Sequence, residues 1–290
     1  MKDRLDPLIS ERAPWLYADH PWSAPSRAVL MKMLGYDRTV RLGEFLQDRT
    51  MPEIMSTMAE LLAKDVVASG VQNIPRHGAA LLVANHPTGI ADGIILNSVI
   101  SQVRNDAFFY ANSDINRVLP QMESLICPVE WRMEKRTLAK TRDTMAYTRK
   151  AVDAGRLGVI FPSGRLAKRR GLRLYERPWM ASAAMIARKF DLPVMPVNIR
   201  ARNSALFYLF DLLHPTLRDI TLFHETLNKH RQPFRITVGE PISPSALPAK
   251  SEQGIKMLRA ETLALGGRYA PSVSLVQNTR LPAWAKPALG

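Results

Sequence analysis

Leu81-Leu82-Val83-Ala84-Asn85-His86-Pro87-Thr88-Gly89-Ile90-Ala91-Asp92-Gly93 decides the fold of this chain. An apolar run of strand length delivers Asn85 and His86 to its carboxyl end. Pro87-Thr88-Gly89 then breaks the run as a turn, and a second apolar stretch, Gly93 to Ile100, follows. The same strand-sized pattern recurs at Ala79 to Ala84, Ala107 to Ala111, Ile126 to Val129, Leu157 to Phe161 and Val194 to Ile199, with helix-sized segments between. Two of those segments have marked ends: Thr137 to Ala154 stops at Gly155, and Pro178 to Phe190 starts on a proline. The alternation predicts an α/β fold with a central, mostly buried mixed sheet flanked by helices.

Outward from this centre, residues 1–70 read as an N-terminal helical segment, 71–245 as the α/β domain, and 246–290 as a C-terminal helix and tail. In the first segment Ile54, Met55, Met58, Leu61, Leu62 and Val66 recur at helical spacing, with Pro52 at the start and Gly70 as a stop. Such a face packs on the domain behind it, with membrane contact as the alternative. Near the end of the domain, Phe234 to Val238 reads as a strand running into Gly239-Glu240-Pro241, and Ser251 to Leu265 as a helix.

Composition narrows the classes of function. The 290 residues carry 40 Lys+Arg against 26 Asp+Glu, a formal net charge of +14, and 46% are hydrophobic, which suits a globular chain with anionic partners. The lone Cys127 rules out an internal disulfide framework and a multi-thiolate metal site, and fits a reducing compartment. The N-terminus lacks the continuous apolar core of a signal peptide, and no stretch approaches the ~20 apolar residues of a membrane-spanning helix. The expected location is therefore cytoplasmic, with peripheral membrane association.

The charge is unevenly distributed. Between Trp131 and Arg177, fourteen basic residues face four acidic ones, so this segment holds +10 of the +14. Along the Lys140 to Lys150 helix the charges read as a solvated face. Arg165, Lys168, Arg169 and Arg170 differ, because they leave a buried strand through Phe161-Pro162-Ser163-Gly164, where backbone N–H groups and cations can hold a phosphate.

His86 is the natural general base of the opening stretch, and Asp92, six positions later, could fix its tautomer and stabilise the imidazolium. An ordinary turn hydrogen bond between the two is the competing reading. His20, His77, His214, His224 and His230 show no metal-ligand spacing, so no metal site is expected. Trp15, Trp22 and the apolar Phe207 to Leu213 stretch are candidates for a lipid interface, or else for core. A nucleic-acid-binding protein would interleave stacking aromatics with its cations, and none accompany Arg165 to Arg173.

In four blocks the sequence resembles the glycerolipid acyltransferases, the 1-acyl-sn-glycerol-3-phosphate acyltransferase superfamily. Asn85-His86-Pro87…Asp92-Gly93 is similar to their first block, and Phe161-Pro162-Ser163-Gly164-Arg165 to their Phe-Pro-Glu-Gly block. Leu192-Pro193-Val194-Met195-Pro196-Val197 and Val238-Gly239-Glu240-Pro241-Ile242 are similar to two later ones. The resemblance covers about residues 70 to 245. Two departures stand out: five residues rather than four separate His86 from Asp92, and Ser163 replaces the family's glutamate.

The resemblance implies an O-acyltransferase with no cofactor beyond its co-substrate. His86 would deprotonate the hydroxyl of a lysophospholipid or related lysolipid, with Asp92 orienting it, as the hydroxyl attacks the thioester of an acyl-CoA or acyl carrier protein. Ser163, Gly164, Arg165, Lys168 and Arg169 would bind substrate, joined by Arg132 and Arg136 from a looser match to the family's arginine-containing block. The expected partners are an anionic membrane surface, the lysolipid acceptor and the acyl donor, and no nucleic acid. A catalytically silent lipid-binding relative is the alternative that Ser163 suggests.

Overall fold

The computed structural model describes residues 1–130, 137–270 and 272–275. Four helices open the chain: α1 (Lys2–Arg12), α2 (Ser23–Met33), α3 (Tyr36–Leu46) and α4 (Met51–Leu62). Strands and helices then alternate through β1 (Val66–Ser69), β2 (Ala80–Ala84), α5 (Ile90–Ile100), β3 (Phe108–Ala111), α6 (Asp114–Val118), β4 (Ile126–Pro128), α7 (Leu138–Asp153) and β5 (Leu157–Ile160). A short hairpin follows, β6 (Lys168–Arg170) and β7 (Arg173–Tyr175). After it come α8 (Ser182–Lys189), β8 (Val194–Arg200), α9 (Ala205–Leu213), α10 (Pro215–Asn228), β9 (Phe234–Val238), α11 (Ser251–Ala264) and β10 (Ser272–Ser274).

The central sheet has the order β1-β9-β8-β2-β5-β3-β4. Its neighbours are parallel except for β8 and β9, so the sheet is mixed, as expected. Every residue of β2 is buried, because apolar layers cover both faces. Leu82 and Ala84 face one layer with Ile54, Met58 and Ile95, whereas Leu81 and Val83 face the other with Ala184, Ile186 and Leu258. Each fully buried side chain of this size contributes about 1.5–3 kcal/mol. A second, antiparallel sheet of order β10-β7-β6 stands beside the first.

The amphipathic face of α4 packs inward: Ile54, Met55, Met58 and Leu62 are buried, and α4 lies against α5. Thr50 and Glu53 form a capping box at its start. The helix is shorter than its spacing predicts. It ends at Leu62, and Val66 belongs to β1, paired with Phe234 of β9. Two adjacent β-branched residues, Val66 and Val67, take the extended form once a partner strand is alongside, an effect that periodicity does not register. Gly70 then turns the chain at φ +71°, where a Cβ would meet the Val238 carbonyl oxygen at 1.9 Å, so only glycine fits. The helix expected from Pro178 begins at Ser182 instead. Phe207 to Leu213 is helical and divided, with Phe207, Tyr208 and Phe210 buried and Leu209, Leu212 and Leu213 exposed.

Candidate active site

Because β2 and β5 are parallel neighbours, the turns that follow them emerge side by side at one edge of the sheet. Asn85 extends β2 by one pseudo-residue: its Nδ2 donates to the Ile199 carbonyl at 2.8 Å, and its Oδ1 accepts from the Ile199 N–H at 2.7 Å. This fixes the direction in which the chain leaves the strand. Gly89 closes the turn at φ +102°, with Leu166 of the neighbouring turn so close that a Cβ would lie 3.1 Å from its Cδ2.

Asp92 is fully buried in the first turn of α5, whose N-terminal dipole favours its charge. Its Oδ2 accepts from the N–H groups of Thr88 (2.8 Å) and Gly89 (3.0 Å), and its Oδ1 from the Thr88 hydroxyl. His86 Nδ1 lies 3.0 Å from Oδ2, but off the line of a ring N–H, so the contact is an ion-pair distance without an aligned hydrogen bond. Catalytic hydrogen bonds are commonly loose before substrate binds. The His86 ring stacks on Phe161 at 4.3 Å and keeps 18% of its side chain exposed. The pair can therefore hold a proton at one ring nitrogen while the ring remains open to a substrate.

The turn after β5 lies over the first one. Ala167 donates its N–H to the His86 carbonyl at 2.9 Å. Ser163 is buried and its Oγ donates to the Arg165 carbonyl at 2.8 Å, while the Gly164 N–H is taken by the Phe161 carbonyl. Arg165 and Lys168 are exposed. Arg169 donates to the Gly171 carbonyl and lies 3.9 Å from Asp211 of α9. Arg132 and Arg136 lie outside the described residues.

Three residues that sequence reasoning did not single out for the site belong to it. Arg177 donates to the Leu166 carbonyl, and burial, together with the nearby charges of Arg165 and Arg218, holds its guanidinium below the ordinary arginine range. Arg218 reaches in from α10, paired with Asp211 and Asp219. Glu176 is buried and accepts from the His86 backbone N–H (3.2 Å) and the Trp179 indole N–H (2.8 Å). Arg177 lies within the basic segment that the sequence exposes, but nothing in sequence order links Arg218 or Glu176 to His86.

Elsewhere the titratable groups have structural roles. His214 caps α10 by accepting from the Thr216 N–H, and His224 meets the Leu34 carbonyl. Burial pushes the Cys127 thiol up to about 12. Among the described residues, no group of three His, Cys, Asp or Glu side chains could hold a metal ion, and no helix is long and apolar enough to cross a membrane.

Residues 65–200 match the family described as Acyltransferase. A lyso-glycine lipid O-acyltransferase of Phocaeicola vulgatus is 24% identical over 210 residues, covering 69% of this chain and 74% of that protein. One from Bacteroides thetaiotaomicron is 23% identical over 245 residues, covering 82% and 87%. The crystal structure of the 1-acyl-sn-glycerophosphate (LPA) acyltransferase PlsC from Thermotoga maritima superposes with a TM-score of 0.49 at 16% identity, covering 93% of this chain and 98% of that one.

Proposed function

The chain belongs to the glycerolipid acyltransferase superfamily and is an O-acyltransferase, and from that premise we propose that it acylates the hydroxyl of a lysolipid from an acyl thioester at the surface of an anionic membrane. One observation carries this reading: His86 and Asp92, 3.0 Å apart, lie directly under the turn that bears Arg165. A proton acceptor and an anion-binding group thus share one strand edge.

In this mechanism His86 Nε2 removes the proton as the acceptor oxygen attacks the thioester carbonyl, and Asp92 stabilises the imidazolium. The tetrahedral intermediate collapses with C–S cleavage, and the imidazolium returns its proton to the departing thiolate. Ser163 takes no covalent part, since its hydroxyl is committed to the Arg165 carbonyl. The N–H groups of Thr88, Gly89 and Gly164 are likewise committed within the turns, so the oxyanion is met by other donors. Arg165, with Arg177, Arg218, Lys168 and Arg169, receives the phosphate of the acceptor or of the acyl carrier.

The membrane reading rests on the β6–β7 hairpin. Leu172 is 67% exposed at its tip, flanked by exposed Lys168, Arg170 and Arg173. An apolar residue ringed by cations suits an anionic bilayer. The cytoplasmic leaflet is the proposed location, and Leu209, Leu212 and Leu213 of neighbouring α9 add apolar surface.

The test is to incubate purified protein with labelled acyl-CoA or acyl carrier protein and a panel of lysolipids, including lyso-phosphatidate and lyso-aminolipids, and to identify products by mass. Product from the parent and none from His86→Ala supports the reading. No product from any pairing would favour a lipid-binding relative without activity. Sedimentation with anionic but not neutral vesicles, weakened in Leu172→Asp, tests the surface.

A further inference from the structure

The hairpin that presents Leu172 to its surroundings also grips the catalytic histidine at its base. Ala167, just before β6, donates its N–H to the His86 carbonyl, and Glu176, just after β7, accepts the His86 N–H. Both hydrogen-bonding groups of the His86 peptide are therefore held by the two roots of one hairpin. Glu176 is in turn anchored by the Trp179 indole, and the Ser163 hydroxyl, which donates to the Arg165 carbonyl, lies near it. Ser163 stands where the resembled family has a glutamate, so a carboxylate has reached this corner from thirteen residues further along the chain.

A buried carboxylate needs a reason, because neutral acceptors such as an amide satisfy the same N–H donors without the cost of desolvating a charge. Burial raises the Glu176 carboxyl above the ordinary carboxylate range, against the lowering effect of the Trp179 and His86 N–H groups. The charged groups facing it are few. The His86 ring lies on one side, Arg177 is adjacent, and Arg259 of α11 donates to the main-chain carbonyls of residues 176 and 177. Asp92 Oδ2 lies 3.0 Å from His86 Nδ1. The negative charge of Glu176 thus falls beside the residue that becomes cationic during catalysis.

We infer that Glu176 is a positioning residue for the acyl transfer, clamping the His86 peptide through the β6–β7 hairpin and supplying the carboxylate that Ser163 does not. The inference rests on the proposed acyl-transfer reading, so the test has one arm that needs no turnover. In that arm the amide of position 86 is followed by NMR against pH in the His86→Ala protein, where no imidazole titrates at that position. The amide shift should show an inflection above the ordinary carboxylate range, and adding Glu176→Gln should abolish it. An inflection that survives in the double variant, or none in His86→Ala alone, overturns the clamp whether or not the chain is an enzyme.

In the kinetic arm, Glu176→Gln in the otherwise unchanged chain should lower kcat at least tenfold with acceptor KM within twofold. A purely structural glutamate would instead lower folded yield and leave kcat per folded molecule intact. Should Glu176→Gln fail to fold, Trp179→Phe keeps the carboxylate but removes one anchor, and kcat should fall about threefold with KM unmoved. Unchanged kcat in the folded variants refutes the positioning role, whereas an inactive parent refutes the acyl-transfer reading and leaves the NMR arm to decide the clamp.

Discussion

Asp92→Asn separates a catalytic pair from a well-capped turn. The substitution is nearly isosteric and removes one charge, 3.0 Å from His86 Nδ1. At an effective dielectric of about 20, two unit charges at that distance interact by about 5 kcal/mol, and the partial exposure of His86 trims this toward about 4 kcal/mol. Neutral histidine gains little from the charge in the ground state, so nearly all of the loss falls on the transition state. The expected outcome is a kcat about 10³-fold lower at similar acceptor KM. The fold should survive. The side-chain oxygen can continue to accept from the Thr88 and Gly89 N–H groups, and the Thr88 hydroxyl can rotate to accept from the new amide. That rearrangement costs about 1 kcal/mol, or a few degrees in Tm. Initial rates with labelled acyl donor at saturating acceptor, normalised to folded protein by circular dichroism, give the comparison. A loss below tenfold in a folded variant would refute the charge argument and leave Asp92 as a helix cap.

Asn85→Ala removes both bonds to Ile199 and strands a buried N–H and C=O, so urea unfolding should show a loss of about 2–4 kcal/mol. Lys229→Met leaves Glu225 as an unpaired buried carboxylate and should cost about 3–5 kcal/mol in the same assay, whereas Glu225→Gln with Lys229→Met together should cost less. Burial works against the Glu225 charge, but Lys229 and Ser204 outweigh it and hold the carboxyl below its ordinary 4.5. The stability this provides is fully present above about pH 4.5 and is lost as pH falls through the lower folded value, so the double variant should lose less stability on acidification below pH 4.5. Cys127, with its thiol pushed up to about 12 in the core, should react with Ellman's reagent at pH 7.5 only after unfolding; labelling of the native protein would contradict its burial.

The sequence carried the strand-and-turn pattern, and the structure has it: β2, β3, β4, β5, β8 and β9 fall on the apolar runs that announce them. It also made His86, Asp92 and Arg165 candidates, because each lies in or just after a turn that follows a strand and whose proline and glycine are visible in order. Local signals of this kind survive in sequence because steric preference and hydrophobic period act over a few residues. Where two local signals conflicted, sequence misled. The helical spacing of Leu62 and Val66 spanned a real boundary, since the pairing of Val66 with Phe234 joins residues far apart in the chain.

What only the tertiary structure decided is who stands beside whom. Side-by-side parallel pairing of β2 and β5 brings the turn that bears Arg165 against the turn that bears His86, and the return of the β6–β7 hairpin brings Glu176 to the His86 N–H. The packing of α10 brings Arg218 to Arg177. The +14 net charge was countable from composition, but the approach of Arg177 to both Arg165 and Arg218 was not, because electrostatic fields depend on distance in space and sequence separation carries almost none of that distance.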